Sequence, residues 1–348
     1  MNNKPTWMLY GAAGHTGSLI AQQACDVGHR PLLAGRSESA VKTLAHRLDL
    51  PYRVLALDEP LTLSEGLSDV DLVLNAAGPF LHTAAPLAEA CLNSGTHYLD
   101  ISNELRVFRT LYDLNQRAEQ AAITVMPGVG FGVVATNCLA RSVSDAVGGA
   151  ETLEVVARVA SAEPGPGVAA TRAENIPFGG WIRQGGQLQT QELGLGISTL
   201  SFPDGDSPIM PVPTGDLEAA FQATGAANVV AYSALVELPD TAESPGSQNY
   251  RSFGWARAIG ADGTSSDAWL ETGESYHYTA MIAVRSVEET LDRTLGGAFS
   301  PAAAFGPEFA FSVEGTTRLT ASAPQLATGH LGGTARHSLP IRCNCSTP

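Results

Sequence analysis

Trp7-Met8-Leu9-Tyr10-Gly11-Ala12-Ala13-Gly14-His15-Thr16-Gly17 is the stretch that decides the fold. A short apolar run enters a glycine turn and leaves it as a helix, predicted from Ser18 to Val27. A dinucleotide-binding loop needs that order. Gly11 and Gly14 let the backbone turn tightly and approach a pyrophosphate, and Gly17 lets the helix lie close to the strand. The N–H groups of the first helical turn face the anion, and the helix dipole adds to the attraction. The phosphate contacts expected here are Gly11, Ala13, Gly14, His15, Thr16 and Gly17. The spacing is GxxGxxG, with Ala13 where the commoner fingerprint has glycine. The strand before it and the helix after it give the triplet its weight.

Downstream, Pro31 to Ala34 reads as a second buried strand ending in Gly35-Arg36-Ser37. An acidic residue at this point would accept hydrogen bonds from the ribose 2′-hydroxyl of NAD and repel a 2′-phosphate. Arg36 and Ser37 instead offer a guanidinium and a hydroxyl, which suit a phosphate. The expected cofactor is therefore NADP (NADPH). Further strands are expected at Arg53–Leu57, Asp71–Leu74, Thr96–Ile101 and Ile123–Met126, with helices over Ser39–Leu48, Thr83–Ser94 and Arg106–Ala122. Buried strands alternating with helices of these lengths give an α/β, doubly wound parallel Rossmann sheet. The fourth strand runs into Asn75-Ala76-Ala77-Gly78-Pro79-Phe80. Small residues at the carboxyl end of a sheet strand let a ligand reach the backbone, so the inner ribose and nicotinamide are expected there.

The 348 residues suggest two domains. We expect an NADP-binding domain over 1–127 and a substrate or dimerisation α+β domain over 128–348, the C-terminal tail packing back on the first. A formal net charge of −15 argues against nucleic acid or an anionic membrane surface as a partner. No apolar run has the length to span a bilayer. The first residues lack the apolar stretch of a signal peptide, which makes the cytoplasm the expected location. Lys4 and Lys42 are the only lysines, which excludes a Schiff-base lysine in the second half. The five cysteines show no metal-ligand spacing, and no metal is expected.

In the second half, Glu151–Ala160, Ile197–Phe202, Ile209–Val212 and Asn228–Tyr232 read as strands. Val168–Gln184 reads as a helix broken at Gly179-Gly180, and Asp216–Thr224 as a short helix capped by Asp216. Pro239–Asp267 is rich in Gly, Ser, Pro and Asp and reads as a loop or a lid. The later part of Ser275–Gly296 reads as an amphipathic helix, and the tail from Thr328 as a frayed or loop-like segment.

The chain resembles the saccharopine dehydrogenase-like oxidoreductases, and within them the trans-acting enoyl reductases. The resemblance is carried by Gly11-Ala-Ala-Gly-His-Thr-Gly17, Ala34-Gly-Arg36, Leu74-Asn-Ala-Ala-Gly-Pro-Phe80 and Ala90-Cys-Leu-Asn-Ser-Gly-Thr-His-Tyr-Leu-Asp100. It continues in Met126-Pro-Gly-Val-Gly-Phe131, Gly215-Asp216, Ala223-Thr-Gly225 and Ser300-Pro-Ala-Ala-Ala-Phe-Gly306. It implies an NADP-binding N-terminal domain and a second α/β domain that shapes the substrate site. Gly132 and Asn137 stand where such proteins usually carry carboxylates, Ala135 where they carry proline, and Asn103 where they carry a small residue.

Reduction of a polarised double bond needs a hydride donor close to the acceptor carbon and a group that protonates or stabilises the other end. Near the strand ends the candidates are Tyr98, His82, Asp100 and Glu104, with Tyr98, His82 and Asp100 expected to be catalytic. His277 reads as structural. The leading expectation is an NADP-dependent oxidoreductase acting on a C=C (enoyl) or C=N bond of a small biosynthetic metabolite, with a homodimer allowed. The substitutions at Gly132 and Asn137 leave a second reading open: a Rossmann protein in which NADP is structural or lost, and which catalyses a non-redox rearrangement or acts as a binding module.

Overall fold

The computed structural model describes residues 6–161, 171, 174, 179–234, 250–293 and 295–319. The chain opens with β1 (Trp7–Tyr10), α1 (His15–Asp26), β2 (Leu32–Gly35), α2 (Glu38–Leu48), β3 (Tyr52–Val54), α3 (Pro60–Glu65) and β4 (Leu72–Asn75). It continues with α4 (Phe80–Ser94), β5 (His97–Asp100), α5 (Leu105–Tyr112), α6 (Asn115–Gln120) and β6 (Thr124–Met126). The six strands pair in parallel in the order β6-β5-β4-β1-β2-β3. Such strands are covered on both faces, which is why β1, β2 and β4 are buried throughout and, apart from Asn75 at the end of β4, apolar. Where one helix was expected over Arg106–Ala122 there are two. The break at Asp113-Leu114 turns Leu111, Leu114 and Ala118 toward a single core.

The second domain begins with α7 (Phe131–Ala146), followed by β7 (Ala150–Arg158), β8 (Gly180–Gln184), β9 (Gln187–Gln191), β10 (Ser198–Phe202) and β11 (Gly205–Pro211). Then come α8 (Asp216–Thr224), β12 (Asn228–Ala234), β13 (Ser252–Gly260) and β14 (Ser265–Thr272). α7 packs on one face of this sheet through Val134, Leu139 and Val143 against Leu153, Val155 and Ala256. The other face carries Phe202, Phe253, Trp255 and Trp269.

Three expectations for this domain are corrected. Gly180–Gln184 is a strand and not the end of a helix, because Gly185 and Gly186 both take positive φ and close a two-residue hairpin with β9. Ser252–Asp267 is not a loop or lid. It is β13, buried for most of its length, with the turn and the start of β14; residues 239–249 lie outside the described residues. Asp216 is not a cap: Gly215 holds the N-cap position, and Asp216 is the first residue of α8.

The chain then returns to the first domain. α9 (Ser275–Leu291) lays Ala280, Ala283, Val284 and Val287 against Ile20, Ala21 and Ala24 of α1. His29 and Glu288 pair at 2.8 Å beside that contact. β15 (Gly297–Ala298) adds in parallel to β6 as the seventh strand of the first sheet. After α10 (Pro301–Phe305), β16 (Thr317–Leu319) pairs with β14 in the second sheet. Both the tail from Thr328 and Ala162–Gly167 lie outside the described residues. Among the described residues no helix is long and apolar enough to cross a membrane.

Candidate functional site

The carboxyl ends of β1, β4 and β5 meet the N-terminal ends of α1, α4, α7 and α9. At the β1–α1 turn, the N–H groups of Gly11 and Ala12 both donate to the Ala34 carbonyl, at 2.9 and 3.2 Å, which fixes the turn to the end of β2. Gly11 has φ +79°, and a Cβ on it would lie 2.7 Å from the Ala77 nitrogen. A Cβ on Gly17 would lie 2.2 Å from the Gly11 carbonyl oxygen. Both glycines are therefore required sterically, one by the β4 exit and the other by the helix. Gly14 is the N-cap of α1 and contributes no side-chain acceptor to the first-turn amides. Ala13, Gly14 and His15 are exposed, Thr16 is half-buried, and the His15 ring meets Tyr276 of α9 edge-on at 4.7 Å. A turn packed this closely, with its amides uncapped, fits a pyrophosphate.

Arg36 and Ser37 lie exposed just past β2. Ser37 is the N-cap of α2 but makes no capping bond, and its Oγ is 3.4 Å from that of Ser39. Arg36 has no ion pair among the described residues. It acts electrostatically on Tyr10, whose hydroxyl donates to the Leu55 carbonyl at 3.2 Å. Burial holds the Tyr10 pKa up, with Arg36 opposing and Asp58 adding to the shift.

The Asn75–Phe80 stretch is held from beneath by a buried chain of hydrogen bonds. Asn75 Oδ1 accepts from the Ala77 N–H at 3.0 Å, while its Nδ2 donates to Tyr98 Oη at 3.1 Å and Thr83 Oγ1 at 3.2 Å. Tyr98 Oη donates in turn to Asp100 Oδ2 at 2.9 Å, and Asp100 Oδ1 accepts from Ser102 N–H and Gly128 N–H. Asn75, Tyr98 and Asp100 are each 0 % exposed. Tyr98 and Asp100, expected to be catalytic, thus lie inside the sheet, each engaged with a neighbour. Burial raises both pKa values, that of Tyr98 well above 10.

His82 lies on the first turn of α4, exposed, with Nε2 3.2 Å from Glu174 Oε1 of the second domain. Glu104, beside it, is 2 % exposed and is a junction. Its Oε1 accepts from Phe80 N–H at 3.2 Å and Thr171 Oγ1 at 3.3 Å, and its Oε2 accepts from Asn103 N–H at 2.9 Å. Glu104 also bridges Thr214 through the backbone. Burial raises its pKa, against the pull of the Asn103 and Phe80 amides.

The atypical residues sit in the scaffold around this junction. Asn103 Oδ1 accepts from Gly215 N–H at 3.1 Å, and a Cβ on Gly132 would come within 3.1 Å of Asn103 Nδ2. Gly132 therefore leaves the space that the larger Asn103 fills. Asn137 Nδ2 donates to the Ala219 carbonyl at 2.9 Å and its Oδ1 accepts from Ala302 N–H at 2.8 Å, joining α7, α8 and α10. Asp216 accepts from Thr136 Oγ1 and is buried, which raises its pKa. His277 packs on the N-cap Glu274, which accepts its N–H at 2.8 Å. Among the described residues no group of three or more His, Cys, Asp or Glu could hold a metal ion. Sequence reasoning passed over Tyr276, Thr171 and Glu174, which reach this region only through the return of α9 and the second domain.

Comparison with known proteins agrees with this geometry. Residues 7–126 match the family model described as the saccharopine dehydrogenase NADP binding domain. The first domain is thus similar to an NADP-binding domain of that type, and the cofactor in that description is the one expected from Arg36. A trans-acting enoyl reductase of Mycobacterium ulcerans (strain Agy99) is 32 % identical over 132 residues, or 36 % of this chain and 32 % of the relative. One from Mycobacterium leprae (strain TN) is 34 % identical over 124 residues, or 34 % of this chain and 29 % of the relative. The chain spans about a third of the length of these curated relatives. Among solved structures, apo saccharopine dehydrogenase (L-Glu forming) from Saccharomyces cerevisiae superposes with a TM-score of 0.61 at 13 % identity. It covers 88 % of this chain and 96 % of that one, so the fold likeness extends through both domains.

Proposed function

We propose that this protein is an NADP(H)-dependent oxidoreductase that reduces a C=C or C=N bond of a small metabolite held between the strand ends of the first domain and the second domain. The observation that carries this reading is the uncapped glycine turn of α1, packed against the Asn75–Phe80 stretch, with an exposed arginine that has no ion pair among the described residues at the end of the adjacent strand. Gly11, Ala13, Gly14, His15, Thr16 and Gly17 would hold the pyrophosphate through backbone amides. Arg36 and Ser37 would hold the 2′-phosphate, and Asn75 to Phe80 would line the nicotinamide half.

When bound, NADPH supplies a hydride. The chain's own residues bind, orient and supply the proton. His82 is exposed and has Glu174 as a partner across the domain junction, and it would deliver a proton to the substrate. Tyr98 and Asp100 would act through Asn75, holding the turn at a fixed height rather than touching substrate. The relatives' name, trans-acting enoyl reductase, favours the C=C alternative.

The test is consumption of NADPH, followed as loss of its absorbance, with a panel of α,β-unsaturated thioesters and cyclic imines. NADPH-dependent turnover of one class supports the reading and selects between the two bonds. Calorimetry that registers no binding of NADPH, NADP, NADH or NAD would overturn it. Turnover of a compound with no change in NADPH would move the protein to non-redox chemistry.

A further inference from the structure

α4 begins immediately after the stretch proposed to face the nicotinamide, and its N-cap is Pro79, which has no side-chain acceptor to offer. The first amides of a helix have no partner within the helix. Here the first of them, Phe80 N–H, is met by the Glu104 carboxylate, 24 residues away, at 3.2 Å. A negative charge at that end is also favoured by the helix dipole. The same oxygen takes the Thr171 hydroxyl from the second domain, and the other oxygen takes the Asn103 amide at the β5 exit. Three donors from three segments converge on one buried carboxylate.

We propose that Glu104 is a positioning residue: it caps α4 in place of Pro79, sets the Gly78–Phe80 turn against the nicotinamide, and links that turn to the second domain through Thr171. The part that concerns the nicotinamide rests on the function proposed above. The capping part does not. The carboxylate is the wrong type of group to donate a proton here, because the neighbours all donate to it. Its effect on catalysis therefore runs through the placement of Phe80 and the turn.

The experiment uses the full chain and reads amide hydrogen exchange site by site, without and with NADPH. In the wild type, Phe80 N–H should exchange at least tenfold more slowly than an uncapped first-turn amide. In Glu104→Met, which keeps the length but removes both acceptor oxygens, Phe80 should lose that protection and the Kd for NADPH should rise about fivefold to tenfold. Glu104→Asp, which keeps the charge but withdraws it by one methylene, should do the same and serves if the methionine variant does not fold. Thr171→Val, which removes the donor from the second domain and keeps the Phe80 bond, should leave Phe80 exchange at its wild-type value. A Phe80 amide unprotected in the wild type, or protected equally in the folded Glu104 variants, overturns the proposal. Loss of Phe80 protection in Thr171→Val also overturns it, since the cap would then depend on the domain link. If NADPH binds to no form of the protein, the oxidoreductase reading fails while the exchange data still decide the cap.

Discussion

Replacing Gly17 by alanine sets two effects against each other. Alanine is favoured over glycine inside a helix by about 1 kcal/mol. Against that, the new Cβ would stand 2.2 Å from the Gly11 carbonyl oxygen and 3.0 Å from both Cα and O of Ala12. All of these are backbone atoms of the turn, so no side chain can swing aside. Relief requires α1 to move out by about 1 Å, which loosens the packing of Ile20, Ala21 and Ala24 on their core. Overpacking of this type costs about 1–3 kcal/mol. The clash should win, with a net loss of up to about 2 kcal/mol and a Tm lower by up to about 3 °C. The displaced first turn also carries the anion-facing amides away from their places. The Kd for NADPH should rise tenfold or more, about 1.4 kcal/mol. Gly14→Ala is the control: its Cβ meets only the Gly11 oxygen at 3.2 Å, and its φ of −72° suits alanine. It should stay within about 1 kcal/mol of wild type in urea unfolding. Gly17→Ala equal to wild type in both unfolding and NADPH fluorescence titration would refute the argument that the glycine is there for backbone contact.

Arg36→Ala should leave stability unchanged, since Arg36 is exposed, and should weaken NADPH by about tenfold or more, on the order of 1.5–3 kcal/mol for a charge-assisted bond. NADH affinity should hardly move; equal losses for both carriers in calorimetry would count against the 2′-phosphate assignment. Tyr98→Phe strips an acceptor from Asn75 and a donor from Asp100 at once, so unfolding should show a loss of about 1–3 kcal/mol. A variant as stable as wild type would show that the buried chain is dispensable. Burial raises the carboxyl pKa values of Asp216, Asp100 and Glu104 in the folded state. At these three sites the folded protein binds more protons than the unfolded one, so their contribution is complete below the unfolded values, about 4, and is lost as pH rises through the folded ones. Asp216→Asn should make stability rise more steeply, or fall less steeply, with pH above about 4, by at most about 1.4 kcal/mol per pH unit. An Asp216→Asn variant whose stability falls with pH as steeply as that of the wild type, or more steeply, would contradict the sign.

The glycine turn, Arg36 and the Asn75–Phe80 exit were legible in the sequence because each is a local feature: a strand, a turn residue and the element that follows. The parallel sheet was legible for the same reason, each apolar run ending in a turn signal. Whether Tyr98 faces a ligand or a core was not. Period-two alternation puts Tyr98 and Asp100 on one face, as they are, but both faces of a parallel sheet are covered, so sharing a face did not mean facing a site. Glu104 was visible as a candidate donor. Its role as an acceptor depends on Phe80 and Thr171, which no local pattern brings near it. The β8–β9 hairpin was hidden by reading Gly179-Gly180 as the break when Gly185-Gly186 makes the turn. β13 and β14 were hidden by composition, since the polar residues at their ends outweighed the Phe253, Trp255 and Trp269 that define the strands.

The late strand β15 bears on how the polypeptide matures. Thr124 of β6 bonds through Oγ1 to the Leu295 carbonyl, 171 positions further on, and β15 seals that border of the sheet just beyond. During translation at about 5–20 residues per second, β6 waits roughly 10–30 s for its neighbour. Throughout that interval the nascent nucleotide module exposes a bare strand border, and the apolar side of α1 lacks its helical partner. The first sheet of a newly made chain therefore keeps an open edge until β15 has been synthesised.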